Sequence, residues 1–272
     1  MTMTDTRAGE ACSSVQAVIR FTDPASEGAV LHTHDHETST FNLIPKTVRI
    51  RNAREQAGRL SFERNGFALI NHRLDIDLLD KAQVQETWYP EAARIIRELT
   101  GASDVIVFLD LVRSEVREEG VEVANNAHVD FDEPSVHGWI RMFRPQTAEA
   151  LIATKRILNI NLWRPIRPVE RMPLAVCDAS SVSRGDLVRT VIGHKPGETA
   201  SPFAGFNLAY NPDQRWYYYP AMQPDEVLAF RLFDSEMQRP HLTAHTAFED
   251  PTSRPGAPPR LSHEVRTIAF LD

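Results

Sequence analysis

The run Arg156-Ile157-Leu158-Asn159-Ile160-Asn161-Leu162-Trp163 decides the fold. On an extended chain Leu158, Ile160 and Leu162 fall on one side, and Asn159, Asn161 and Trp163 on the other. One face suits an apolar layer; the other carries amides that can line a cavity. A buried amide needs partners, which makes Asn161 the candidate polar side chain of a site. On either side of this run the sequence keeps to short strands. Residues 104–110 (D-V-I-V-F-L-D) read as a strand, 225–234 as another that is nearly apolar on both faces, and 264–271 as a last one. Of 18 prolines, 15 lie beyond residue 130, which argues against long helices there.

The front of the chain reads differently. A helix is expected over residues 52–63, stopped by Asn65-Gly66 and followed by a strand over 67–70. Pro90 opens a second helix that Gly101 ends. Apolar pieces at 18–21 and 41–44 are separated by polar turns, and residues 1–17 form a loose leader. The expectation is one domain over residues 1–272: leader 1–17, partly helical support 18–103, and a core over 104–272, mainly β with flanking helices, built as an antiparallel barrel or sandwich.

Composition excludes some functions. Hydrophobic residues are 42% and charged residues 25%, enough for a normal core. The formal net charge of −7 argues against a nucleic-acid partner. Cys12 and Cys177 make no disulfide framework, as in a reduced protein. No stretch approaches the length of a membrane span and the start has no signal-peptide pattern, so a cytoplasmic protein with no membrane partner is expected.

Chemistry enters at Asn126-Ala127-His128-Val129-Asp130-Phe131-Asp132. His128 and Asp130, two apart on an extended segment, point to one face and can reach a single metal ion. A distal histidine would complete the two-His-one-carboxylate triad that leaves positions open on Fe(II) for substrate and O2. His245, in T-A-H-T-A-F (243–248), and His241, just after Pro240, are both candidates. Asp132 is the surplus acid, expected to face solvent or to support the ligands. His32, His34 and His36 around Asp35 invite a metal assignment but sit in a polar segment and read as a solvated turn; His137 and His194 read as surface residues.

Arg260 and Arg266 follow His245, six apart and therefore on one face of a continuous strand. An arginine fork holds a carboxylate bidentately and keeps its charge, as the distal carboxylate of 2-oxoglutarate would require. Arg266, opening an apolar run, is the favoured anchor, with Arg260 as its partner. The alternative is that these arginines pair with Glu264, Asp250 or Asp234. In Trp216-Tyr217-Tyr218-Tyr219 alternation splits the aromatics between two faces, and Tyr217 is the candidate hydroxyl toward the cosubstrate.

Seven blocks in this order and spacing then carry a resemblance: N-L-W-R-P-I (161–166), P-L-A-V-C-D (173–178), R-W-Y-Y-Y-P-A-M (215–222), D-E-V (225–227), F-D-S (233–235), H-T-A-F (245–248) and P-R-L-S-H-E-V-R (259–266). The sequence resembles the CmcJ/NvfI-like family of Fe(II)/2-oxoglutarate-dependent oxygenases, which includes AsaB-type and gibberellin-desaturase-type proteins. The resemblance covers residues 104–272 strongly and the front weakly. It implies a double-stranded β-helix (jelly-roll, cupin-like) core, iron on His128, Asp130 and His245, and 2-oxoglutarate clamped by Arg260 or Arg266. It also implies O2 as oxidant, succinate and CO2 as coproducts, and a small natural-product or amino-acid-derived substrate. Hydroxylation is the default outcome, with desaturation or endoperoxide formation open to the same machinery. The chain departs from the family at Leu261, where Glu is more usual, and at His263, where an apolar residue is usual.

Two other classes compete. A non-catalytic metal- or ligand-binding β-barrel would have no need of an open-sited iron, and an iron dioxygenase independent of 2-oxoglutarate would have no need of both late arginines. Specificity is expected in loops 131–138 and 192–206. A monomer or a homodimer fits the composition equally.

Overall fold

Two sheets curl around a shared interior in a computed structural model that describes residues 13–32, 38–56, 58–116, 118–193, 203–236 and 242–272. In chain order the strands are β1 (Ser14–Thr22), β2 (Val30–His32), β3 (Leu43–Asn52), β4 (Phe67–Asn71), β5 (Asp104–Ser114), β6 (Val121–Glu122), β7 (His128–Val129) and β8 (Arg156–Pro165). There follow β9 (Leu174–Cys177), β10 (Leu187–Gly193), β11 (Ala204–Leu208), β12 (Trp216–Tyr218), β13 (Glu226–Asp234), β14 (His245–Ala247) and β15 (Leu261–Leu271). The larger sheet runs β1-β3-β12-β9-β14-β7-β11-β10-β2, and the smaller β4-β13-β8-β15-β5-β6. The protein is mainly β with few helices, a jelly roll.

The alternation in residues 156–163 does what it predicts. Leu158, Ile160 and Leu162 pack outward with Val265 and Ala269 of β15 against a helical layer containing Trp88, Ala92, Ile95 and Ile96. Trp163 turns inward and joins Leu228 and Phe230 of its own sheet and Val176 and Trp216 of the larger one. The helical layer is the turn Val84–Trp88 and the helix Tyr89–Thr100 that continues it, with Pro90 in the first turn of the helix and Gly101 in the left-handed region closing it. A second interior cluster, with Phe108, Phe131, Val136, Ile157 and Phe270, fills another part of the barrel.

Three expectations need correcting. The helix over 52–63 is absent: β3 reaches Asn52, a 3₁₀ turn covers Ala53–Gln56, and only Phe62–Asn65 is α-helical, capped by Ser61 and ended by Gly66 at φ 83°. The leader is shorter than 1–17, because Ser14 already pairs with Arg51 and Val15 and Ala17 are buried. Residues 18–103 hold both kinds of element: β1, β2 and β3 belong to the larger sheet, and the helix Tyr89–Thr100 packs outside the smaller one. A further helix, Glu133–Phe143, lies where a loop was expected, with Asp132 capping it and Pro134 in its first turn.

Candidate functional site

β7 and β14 are neighbours in the larger sheet, and His245 lies directly opposite His128. Opposed residues share a face, so both imidazoles point into the barrel; their ring centroids are 4.3 Å apart. Asp130 follows two residues after His128, and the ligand-type atoms of His128, Asp130 and His245 all lie within 4.8 Å of one another. Among the described residues no other group of His, Cys, Asp and Glu gathers in this way. Gly205 on β11 explains how Asp130 fits. A Cβ there would stand 2.4 Å from the Asp130 carbonyl, so only glycine lets β11 approach this closely.

The electrostatics suit a cation. His128 Nδ1 lies 2.8 Å from the Asn126 carbonyl, to which it donates in the tautomer that leaves Nε2 with its lone pair; Nε2 is 3.5 Å from Asp130 Oδ1. Burial, with help from His128, pushes His245 down to about 3, so this ring is neutral at physiological pH and its Nδ1 has no partner. Burial alone would push the Asp130 carboxyl up; the Arg266 guanidinium beside it outweighs that and holds the group well below the usual carboxylate range. Two imidazoles, one of them kept neutral by burial, and an ionised carboxylate converge as the donor set of an open-sited iron centre. The residues present therefore fit the metal.

Asn161 belongs to this cluster, its Nδ2 donating to Asp130 Oδ2 at 2.7 Å while its own Oδ1 is buried without a partner. The two arginines, expected to act together, differ. Arg266 donates through Nη2 to Asp130 Oδ1 at 3.2 Å and through Nε to Glu264 Oε1 at 2.9 Å. The alternative of a Glu264 pairing is thus realised for this arginine. Arg260 faces a small cavity that His128, His245, Trp163, Arg113 and Glu264 also line. It donates from Nη1 to the Met172 carbonyl, lies over the Trp163 ring, and has a buried Nε with no partner. Burial and then Arg113 push it down to about 9, so the site holds a cation whose charge no described carboxylate matches at ion-pair distance.

Tyr217 is not part of the cluster. Val176 of β9 separates it from His245 across the sheet, and its ring packs on Phe67. Asp132 caps the helix Glu133–Phe143 and pairs with Arg189. His32 is tied to Thr38, and His137 packs its ring near Phe233. His34, His36, His194 and His241 lie outside the described residues. Arg113 was missed in the sequence because it stands beyond the expected end of its strand; β5 runs on to Ser114 and carries it to the cavity. A larger recess of about 260 Å³, between Arg171 and Met172 and residues 249–257, presents no histidine and touches the site only through Met172.

Similar proteins agree with this chemistry. The family described as "YDMC: Oxidoreductase/YMDC permease-like domain" matches residues 19–270; no helix among the described residues is long and apolar enough to cross a membrane. The hydroxylase/desaturase efuI of Hormonema carpetanum is 31% identical over 256 residues, 85% of each chain. The Fe(II)/2-oxoglutarate-dependent dioxygenase nvfI of Aspergillus novofumigatus is 28% identical over 85% of this chain and 86% of its own. The solved structure of the iron and alpha-ketoglutarate-dependent endoperoxidase NvfI matches with a TM-score of 0.85 at 26% identity, covering 95% of this chain and 98% of that one.

Proposed function

The chain belongs to the family of Fe(II)/2-oxoglutarate-dependent hydroxylases, desaturases and endoperoxidases, and from that premise we propose that His128, Asp130 and His245 hold its iron and Arg260 anchors its 2-oxoglutarate. The observation that carries this reading is the convergence of three donor groups, two of them buried, beside a cavity that His128 and His245 line and that also presents an unmatched arginine. When bound, iron with 2-oxoglutarate and O2 supplies an oxidant able to take hydrogen from an unactivated carbon, with succinate and CO2 released.

The protein's own residues do the rest. His128 and His245 offer lone pairs because one ring is fixed by Asn126 and the other is kept neutral by burial. Asp130 offers charge, and its oxygens are steered by Asn161 and Arg266. Arg260 meets the distal carboxylate of 2-oxoglutarate with the fork edge that Met172 leaves free, and Arg113 adds a second positive charge at the same cavity. Trp163 beneath Arg260 and the surrounding strands exclude water, which strengthens each of these contacts. The substrate is a small organic molecule oxidised at carbon, of the kind met in natural-product pathways, and hydroxylation is the default reaction.

Anaerobic Fe(II) titration of the metal-free protein tests the ligand set. One ion per chain is expected, with binding lost in Asp130→Ala and His245→Ala and largely retained in His241→Ala. Retained binding in His245→Ala, with loss in His241→Ala, would move the third ligand.

A further inference from the structure

Two of the three guanidinium nitrogens of Arg266 are already engaged, and both engagements lie on its Nε–Nη2 edge. Its Nη2 is committed to Asp130, its Nε to Glu264, and its guanidinium carbon stands 5.2 Å from the centre of the Phe131 ring. Pairing of β8 with β15 sets Arg266 directly opposite Asn161, so two donors side by side on one sheet reach across to one carboxylate on the other. Each Asp130 oxygen receives one of them, Oδ2 from Asn161 at 2.7 Å and Oδ1 from Arg266 at 3.2 Å. Two donors on two oxygens fix the carboxylate plane and leave the remaining lone pairs for a cation. Asp130, Asn161, Glu264 and Arg266 are all at least nine-tenths buried. Without the guanidinium, Asp130 and Glu264 would be two desolvated carboxylates close together with their shared counter-charge gone.

We propose that Arg266 is a positioning residue for Asp130, and that Glu264 serves the site by holding Arg266 in place. This rests on the reading of Asp130 as an iron ligand. It divides the labour of the two late arginines: Arg260 meets the cosubstrate, whereas Arg266 acts on the metal through Asp130. Outer partners of metal ligands are typically worth 10–100-fold in metal affinity. Substitution of Arg266 is therefore expected to weaken the metal and leave the cosubstrate alone, the opposite of what a carboxylate anchor would show.

The experiment uses Co(II) as an air-stable probe on the full chain, followed by its visible spectrum, with 2-oxoglutarate then titrated into the Co(II)-saturated protein. Arg266→Gln is expected to weaken Co(II) by about tenfold or more and leave 2-oxoglutarate affinity unchanged within error. Arg266→Lys, which keeps the charge without the fork, recovers part of the loss, and Glu264→Gln weakens Co(II) in the same direction by less. Should Arg266→Gln fail to fold, Glu264→Gln and Arg266→Lys carry the same comparison. Unchanged Co(II) affinity in these variants overturns the proposal, as does a loss confined to 2-oxoglutarate. Failure elsewhere is distinguishable: if the wild-type protein does not bind Co(II), or Asp130→Ala binds it equally well, the assignment of Asp130 as a ligand falls instead.

Discussion

The two faces of the β8–β15 pair are built on opposite rules. The outer face carries Leu158, Ile160, Leu162, Val265 and Ala269, closed over by the helical layer. The inner face carries Asn161, Glu264 and Arg266, desolvated as fully but engaged in hydrogen bonds that run to Asp130. Burying apolar atoms stabilises the fold, whereas burying charges and amides costs free energy even when they are well paired. The same backbone thus holds the fold together on one side and sustains a costly arrangement on the other. Such an arrangement is expected where it serves a ligand.

The comparison gives measurable consequences. Leu162→Ala, at a fully buried position, should lower stability by about 2–5 kcal/mol without changing iron affinity per folded molecule. A loss of iron affinity in that variant would mean that the two faces are not separable. On the inner face, Arg260→Lys should leave iron binding intact and raise the 2-oxoglutarate requirement. A charge-assisted hydrogen bond is worth about 1.5–3 kcal/mol, roughly one to two orders of magnitude in affinity. Titrating 2-oxoglutarate against that variant checks it, and unchanged affinity would take the clamp away from Arg260.

Acid should find the inner face before the outer one. His245 sits at about 3 in the folded protein against an ordinary value of 6.5. Between those values the unfolded chain binds a proton that the folded one does not, so the contribution of this residue is fully present above 6.5 and declines as pH falls toward 3. At pH 5 the metal-free protein should have lost about 2 kcal/mol from this residue. Urea unfolding at pH 7 and pH 5 measures the loss, which should shrink in His245→Leu.

The smallest expected effects concern two buried polar groups. Asn161→Leu should lower stability by about 1–2 kcal/mol, the loss of its hydrogen bond to Asp130 being offset in part because the carbonyl oxygen of the amide is unsatisfied already, and should weaken iron binding. His263, on the outer face, lies 3.4 Å from Asp110, whose carboxyl it and Tyr89 hold low, but neither ring nitrogen makes a hydrogen bond of good geometry. His263→Leu should raise the melting temperature modestly, by a stability gain of about 1 kcal/mol. A large drop in either variant would show that these groups are structural keystones.

Local pattern carried much of this into view. Alternation in residues 156–163 gave both faces of β8, and the two-residue step from His128 to Asp130 gave a shared direction, because strand periodicity is a property of neighbouring residues. What pattern could not carry was partnership across the sheets. Arg266 opens an apolar run and reads as an anchor; only its register with Asn161 and its reach to Asp130 give it a different partner. Tyr217 has the right chemistry and the inward face, yet an intervening strand separates it from His245. The helix Glu133–Phe143 was legible in principle from Asp132 and Pro134, a cap and a first-turn proline, but the weight of prolines beyond residue 130 obscured it.

The most direct measurement is anaerobic addition of 2-oxoglutarate to the Fe(II)-loaded protein, observed in the visible region. If His128, Asp130 and His245 hold an open-sited iron facing the cavity that Arg260 lines, a metal-to-ligand charge-transfer band should rise with 2-oxoglutarate and saturate at one equivalent of iron per chain. The band should be absent in Asp130→Ala. Its absence in the wild-type protein at saturating iron and 2-oxoglutarate, or its persistence in Asp130→Ala, would contradict the assignment of this site.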